Sequence, residues 1–389
     1  MSEPPAVPRH APSPNAAAAY LDANATEPIR PEARAAVVAA LDLVGNPSSV
    51  HAEGRAARRA LEMAREAVAA QFGATPAGVV FTAGGTEANA LAIRGLAAGR
   101  RILAGATEHP SVLRAAEPLG PPFLLPVQAD GRLDLDALER WLAEPGALPA
   151  LVCLMAANNE TGVLHPLEEA AALCRRHGAL LHVDGVQAAG RLPLSLAALG
   201  ADSLALSGHK LGGPKGAGAL LLRAGLDVAG PLIAGGGQER GRRGGTEPLP
   251  AIVGLAAAAD AARPEQSAAL SALRDAIEAG VRALAPEARI VGADAPRRLP
   301  NTSCVLLPGV PAETQVIALD LAGVRVSAGS ACSSGKVARS HVLEAMGLGA
   351  AAGEAIRVSL PWNATEAAVD RFLTAWAAMR ERTGRRHAA

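Results

Sequence analysis

Short apolar runs of strand length recur along the middle of the chain, at 79–81, 102–104, 123–127, 150–155, 179–183, 203–206 and 217–222. Several are separated by stretches with helical spacing of apolar positions, as at 167–177. This alternation predicts an α/β fold whose mainly parallel sheet is covered by helices on both faces. Ligands of such sheets bind beyond the carboxyl ends of the strands, and the polar clusters of this chain fall there. Ahead of the first run, Pro31 opens an Ala-rich helical stretch through Leu43. A turn at 45–51 then leads into a long helix whose Arg55, Arg58, Arg59 and Arg65 are expected on a solvated face. The pattern changes near Ala262, Arg263 and Pro264. Beyond lie a helix, a strand at 304–307, a helix from about Glu313, a Gly-rich segment at 326–335 and a closing pair of helices, which together predict a smaller α+β domain. The expected organisation is a loose tail over 1–19, a large ligand-binding domain over 20–264 and a small C-terminal domain over 265–389.

Composition narrows the function classes. The chain has 389 residues, half of them hydrophobic but only 2% aromatic, so its core is expected to be packed mainly from Ala, Val and Leu. Lys plus Arg number 37, as do Asp plus Glu, and that balance offers no basic surplus for nucleic acid. No apolar run approaches the ~20 residues of a membrane-spanning helix, so no membrane role is expected. Residues 1–19 are rich in Pro and Ala and lack the apolar core of a secretory signal. Cys153, Cys174, Cys304 and Cys332 are far apart and lack metal-ligand spacing, so they are expected to be free thiols in a reducing, cytoplasmic compartment, with no metal site.

The candidate chemistry centres on the stretch 202–216, where a short buried strand breaks into a glycine-rich turn after Ser207, Gly208, His209 and Lys210. Burying a lysine ammonium is costly, so Lys210 either reaches solvent or sits where its amine can attack a carbonyl. The second option needs a cofactor. Ser207 and His209 before the lysine, with glycines after it, suit a loop around a phosphorylated ring and suggest pyridoxal phosphate. Gly85 and Thr86 sit at a strand-to-helix turn, which either binds phosphate through free backbone N–H groups or is an ordinary cap by Thr86. His109 follows the next strand with a ring that could stack on a flat ligand or simply pack. Asn159 lies in an Asx-rich turn that either donates to a ligand or only shapes the loop. Asp184 ends an apolar strand, where an ionised carboxylate needs a cation, and a protonated pyridine nitrogen is one. Gln187 follows one helical turn on, within reach of a ring hydroxyl.

Taken in order, the segments 46–51, 85–87, 108–110, 158–162, 184–187, 207–210, 236–240 and 329–334 resemble the cysteine desulfurases of the class V aminotransferase family, a likeness running from about Tyr20 to about Ser359. The resemblance implies a fold type I pyridoxal phosphate enzyme, active as a homodimer, that takes sulfur from L-cysteine and leaves L-alanine. It makes Lys210 the Schiff-base lysine, Asp184 the partner of the pyridine nitrogen, Gln187 the donor to the ring hydroxyl, and His109 the stacking group and proton shuttle. Thr86, with Gly85 beside it, Ser207 and His209 would bind the phosphate, and Thr246 would reach the phosphate of the other subunit. Arg357 would grip the substrate carboxylate with help from Asn159, a task suited to a planar guanidinium.

Cys332 carries the distinguishing step, because holding a sulfur atom as a persulfide needs a thiolate that can reach the substrate. The Gly and Ser around it suit a mobile loop, whereas Cys153, Cys174 and Cys304 read as small buried residues. The Ser-Ala-Cys-Ser-Ser form resembles the branch that serves sulfur-acceptor proteins, such as iron–sulfur scaffolds and tRNA thiolation proteins. A related lyase acting on selenocysteine or cysteine sulfinate, and an inactive sulfur-trafficking scaffold, are the rival readings. Four positions depart from the family pattern: Ala23-Asn24 stands where two Asn are usual, Glu27 replaces a frequent Thr, Gly85 a frequent Ala, and Pro248 a common Asn.

Overall fold

The structure, a computed structural model, describes residues 18–263, 267–329 and 339–387. Of the tail expected over 1–19, residues 1–17 lie outside the described residues, as does the candidate Cys332. The described chain opens with strand β1 (Ala19–Tyr20) and helices α1 (Pro31–Leu41) and α2 (Ala52–Gln71). The runs that follow become β2 (Val79–Thr82), α3 (Gly85–Leu96), β3 (Arg101–Gly105), α4 (Pro110–Ala116), β4 (Phe123–Leu125), β5 (Ala150–Met155), β6 (Leu180–Asp184), β7 (Ser203–Ser207) and β8 (Gly218–Leu222). These seven strands form one sheet in the order β2-β8-β7-β6-β5-β3-β4, with β8 alone running against its neighbours.

Every residue of β5 to β8 is buried, because helices cover both faces. The two-residue period of the strands sorts their side chains between two cores. Val152, Leu154, Leu181 and Val183 pack with Leu61 and Val68 of α2 and with Ile252 and Leu255 of the helix Leu249–Ala261. Leu151, Cys153 and Leu180 face the other way, against Leu91 and Ile93 of α3 and Val112 of α4. Alanines fill much of both cores, which is how a chain with so few aromatic rings closes its interior.

A second sheet is built from β9 (Arg289–Val291), β10 (Thr302–Leu306), β12 (Ser327–Ala328) and β13 (Ala355–Ser359), antiparallel in the order β12-β13-β10-β9. Its core gathers around Phe372 and Trp376 of the closing helix Glu366–His387. The short strand β11 (Val324–Arg325) pairs in parallel with β1, so the start of the described chain is stitched to its C-terminal part. The strand expected at 304–307 is β10, displaced by two residues at its start. The two-residue strands and β9 were not read from the sequence, because runs this short carry too little period to stand out, and β13 was not read either.

One expectation is overturned. Arg55, Arg58 and Arg59 are exposed, but the side chain of Arg65 is only 6% exposed and makes a two-pronged pair with Glu239, whose own side chain is 1% exposed. The distances are 2.8 Å from Nη1 and 2.7 Å from Nη2, and Glu239 also accepts the Phe81 backbone N–H. Arg65 lies one turn beyond Leu61 and beside Ala64 and Val68 on the buried stripe of α2. Its partner arrives from 174 residues away, a contact no local pattern announces. Glu239 and Arg240 are the two described non-glycine residues with positive φ, 48° and 60°, so the buried ion pair fixes a turn that would otherwise be unfavourable.

The family departure at Gly85 has a packing cause. A Cβ there would stand 2.6 Å from Val186 Cγ2, so the branched valine occupies the space an alanine would need.

Arg65→Ala should lower stability by about 3–5 kcal/mol, because it strands a buried carboxylate. The joint replacement Arg65→Met with Glu239→Leu should cost less than Arg65→Ala alone. Denaturant midpoints test both, and an unchanged midpoint for Arg65→Ala would show that the pair contributes nothing. Gly85→Ala should destabilise by about 1–3 kcal/mol through overpacking. Adding Val186→Ala should recover most of that loss, and equal losses in the single and double variants would reject the packing explanation.

Candidate active site

Because β2, β3, β5, β6 and β7 all point the same way, their carboxyl ends deliver polar residues to a single edge. There a cavity of about 580 Å³ is lined by residues from each strand end. Gly85 and Thr86 follow β2, His109 follows β3, Asn159 follows β5, Asp184 closes β6 with Gln187 just beyond, and Ser207 closes β7 with His209 and Lys210 just beyond. Nine of the residues singled out in the sequence therefore face one space.

The two ends of this cavity differ in charge preference. At one end α3 begins without a side-chain cap on its Gly84 turn, leaving the first backbone N–H groups pointing outward. Close approach of strands makes this end tight: a Cβ on Gly218 would lie 2.6 Å from the Gly84 Cα. With Ser207, His209 and Lys215 alongside, this end suits an anion. At the other end Asp184 is 6% exposed and accepts hydrogen bonds from Asn89 Nδ2 at 2.7 Å and from the Val186 N–H at 3.0 Å. A buried carboxylate facing the cavity suits a cationic group.

Between them stands Lys210, whose Nζ donates to the Asn24 carbonyl at 2.5 Å. The same carbonyl accepts from Gln187 Nε2 at 3.0 Å, while Gln187 Oε1 accepts from Arg191 Nη1 at 2.6 Å. Arg191 thus fixes which way the Gln187 amide faces. Arg191 is held in turn by Glu27 at 3.1 Å, a pair whose side chains are 4% and 5% exposed. Glu27, the second family departure, is therefore part of a buried ion pair beneath the site. Burial pushes its carboxyl above the usual range, and the Arg191 charge pulls it back.

The histidines at the site are held neutral. Burial lowers the titration of His109, with the Asp184 charge opposing that shift. His209 is pushed down to about 4, first by burial and then by Lys210 and Lys215, and its Nδ1 lies 3.1 Å from Thr26 Oγ1. Glu108, fully buried beneath His109, is raised well above the carboxylate range by burial and then by Asp184. It accepts the Met155 N–H at 2.7 Å.

Two predicted residues lie away from the cavity wall. Arg357 projects from β13, donates from Nη2 to Asp22 Oδ1 at 2.7 Å and from Nη1 to the Asn159 carbonyl at 3.2 Å, and so sits behind Asn159. Its buried Nε has no partner among the described residues. Thr246 is exposed and does not line the cavity of its own chain. A neighbouring cavity of about 620 Å³ shares Thr86, His109 and Asn159 and is also lined by Gly329 and Arg339, the described residues nearest Cys332 on either side.

Reading the sequence missed Asn24, Asn89, Ser111 and Arg191. Asn89 had a signal, being an amide among Ala88, Leu91 and Ala92 on the buried face of α3. Arg191 stands four residues from Gln187, the spacing of one helical turn, though no regular helix forms there. Asn24 had none beyond its place in a departing motif. Among the described residues no cluster of His, Cys, Asp and Glu could hold a metal, and no helix is long and apolar enough to cross a membrane.

Comparison with known proteins places this geometry. Residues 19–372 match the family described as aminotransferase class-V. A cysteine desulfurase of Cereibacter sphaeroides is 46% identical over 366 residues, covering 91% of this chain and 93% of the relative. An IscS-like cysteine desulfurase of Mycobacterium tuberculosis is 41% identical over 372 residues, covering 91% and 94%. Among solved structures, a NifS-like protein from Rickettsia africae superposes with a TM-score of 0.86 at 33% identity, covering 94% of this chain and 99% of that one. The chain belongs to the class V aminotransferase family and, within it, to the cysteine desulfurases.

Proposed function

We propose that this chain is a pyridoxal phosphate-dependent cysteine desulfurase, which converts L-cysteine to L-alanine and holds the sulfur as a persulfide on Cys332. The observation that carries the reading is the pairing of the buried Asp184 carboxylate with the Lys210 amine across one cavity whose far end is an uncapped helix start. A phosphorylated pyridine aldehyde matches this donor set group by group. The N-terminus of α3 with Thr86, Ser207 and His209 would take the phosphate, Asp184 the ring N–H, Gln187 Nε2 the ring oxygen, and Lys210 the aldehyde carbon. When bound, the group supplies an electron sink for negative charge at the substrate α-carbon.

The chain's own residues then divide the work. Asn159, with Arg357 behind it, would orient the substrate carboxylate, and the buried Nε of Arg357 is the donor left without a partner among the described residues. Lys210 Nζ moves the α-proton, and the Asn24 carbonyl holds that amine in place beforehand. The Cys332 thiolate attacks the substrate sulfur, a sulfur–sulfur bond forms, and the carbon–sulfur bond breaks. Its electron pair stays with the substrate, which gains a proton and leaves as L-alanine.

Three further assignments rest on the same reading. A homodimer is supported by Thr246, which is exposed and away from its own cavity, and by the apolar side chains of Val38, Leu41, Val44, Val50 and Met63, which α1, α2 and the turn between them leave exposed. A cytoplasmic setting is supported by the thiols of Cys153, Cys174 and Cys304, all free and buried. The persulfide would pass to an acceptor protein such as an iron–sulfur scaffold or a tRNA thiolation protein. In domain terms, a cofactor-binding unit over 20–264 would be joined by a C-terminal unit over 265–389 that carries Cys332.

Lys210→Ala should lower cysteine turnover by at least 10²–10⁴-fold, about the contribution of a positioned acid–base group, while the protein still folds. Turnover at the wild-type rate would end the proposal. Brief exposure of the wild type to cysteine should add one sulfur atom to the peptide containing Cys332, detected by mass spectrometry. Cys332→Ala should bind cysteine yet release no sulfide, and sulfide release at the wild-type rate would refute the persulfide step.

A further inference from the structure

Beneath the cavity lies a chain of polar side chains with no part in the assignments above. Asn89, His182 and Ser203 are all 0% exposed, so each donor and acceptor must be met inside the protein. Accounting for their hydrogens leaves one solution. Ionised Asp184 can only accept, so the Asn89 group 2.7 Å from its Oδ2 is the amide nitrogen. The amide oxygen then faces His182 Nε2 at 3.0 Å, and that nitrogen must carry the proton. His182 Nδ1 is left bare and accepts the hydroxyl of Ser203 at 2.8 Å. Burial pushes the His182 titration down to about 3, in keeping with a neutral ring.

The second amide hydrogen of Asn89 goes to Ser111 Oγ at 2.9 Å. The Ser111 backbone N–H donates to His109 Nδ1 from 3.1 Å, so that nitrogen is an acceptor, and the Ser111 hydroxyl 2.9 Å away donates to it as well. Two donors on Nδ1 exclude a proton there, so the neutral ring carries its proton on Nε2, the nitrogen turned away from Ser111. The charged groups acting on His109 are Asp184, which favours a second proton, and Lys210, His341 and Arg357, which oppose it.

We propose that Asn89 is a positioning residue for the reaction: one amide group fixes the direction of the Asp184 carboxylate and, through Ser111, holds His109 as a neutral ring that presents Nε2–H to the cavity. His109 then acts as a hydrogen-bond donor and a flat stacking surface, and proton movement falls to Lys210. The inference rests on the reading of the site as a cysteine desulfurase, but its geometry is separable from the activity.

The test is ¹⁵N NMR of the histidine rings in the full-length holoenzyme, with cysteine turnover measured alongside. Expected at pH 7 are neutral rings protonated on Nε2 for both His109 and His182. An Nδ1–H ring or an imidazolium at His109 overturns the proposal, whatever happens in variants. Ser111→Ala should raise the titration midpoint of His109 by about one pH unit, the scale of one lost hydrogen bond, and leave the His182 signal in place. Asn89→Ala should shift both ring signals and lower kcat by on the order of tenfold, with KM for cysteine within about twofold. Unchanged ring signals in a folded Asn89→Ala protein overturn the link. Should that variant not fold, the wild-type tautomers and Ser111→Ala decide the matter. Wrong tautomers with normal turnover sink this inference alone, and the expected tautomers without turnover sink the functional reading alone.

Discussion

A carboxylate at the carboxyl end of a fully buried strand is the constraint around which this site is built. Asp184 cannot be left unmatched in that position, and the protein supplies two donors, Asn89 and the Val186 N–H, leaving its remaining capacity toward the cavity. The first donor ties the constraint to α3. That helix begins at Gly85 and carries Asn89 one turn later, so it turns free N–H groups to one end of the cavity and an amide to the other. The spacing between an anion site and a cation site is thereby set by a rigid element rather than by a loop.

The segment just after β1 does the complementary work. Asn24 donates from its side chain to the Asn159 carbonyl at 3.0 Å and to Thr302 Oγ1 at 2.9 Å, and its backbone oxygen receives Lys210 and Gln187. Glu27 pairs with Arg191 and accepts the Trp362 N–H at 3.2 Å, and Arg30 lies 5.0 Å from the Trp362 ring centre. Such buried charges are costly when isolated, and here most of their hydrogen-bonding capacity is used. One short stretch thus binds the loops of the large sheet to β10 and to the turn after β13, and removing it would also free the lysine.

What the sequence made legible was local. Strand runs, the turn after β7 and the carboxylate ending β6 could be read because each announces itself within a few residues, and the order of motifs made the family recognisable. What stayed hidden was held by partners far apart in the chain. Arg65 looked like one more solvated cation in a basic helix until Glu239 was placed against it, and Asn24 gained meaning only beside Lys210, 186 residues on. The strand carrying Arg357 was missed for a different reason: all five residues of Ala355–Ser359 are buried, so the alternation of Ile356 and Val358 with Arg357 and Ser359 marks no solvent face.

The surroundings of Arg357 show how a site can be firm and still open. Its Nη1 is spent on the Asn159 carbonyl and one hydrogen of Nη2 on Asp22, which lock the plane of the guanidinium. The Nε–H is left buried and without a partner among the described residues. A buried Nε without a partner costs on the order of 1–3 kcal/mol, so the arrangement around Arg357 is held at some expense to stability. In the proposed reading Asp22 holds the plane of the guanidinium, and a substrate carboxylate would have to reach the buried Nε–H from behind Asn159.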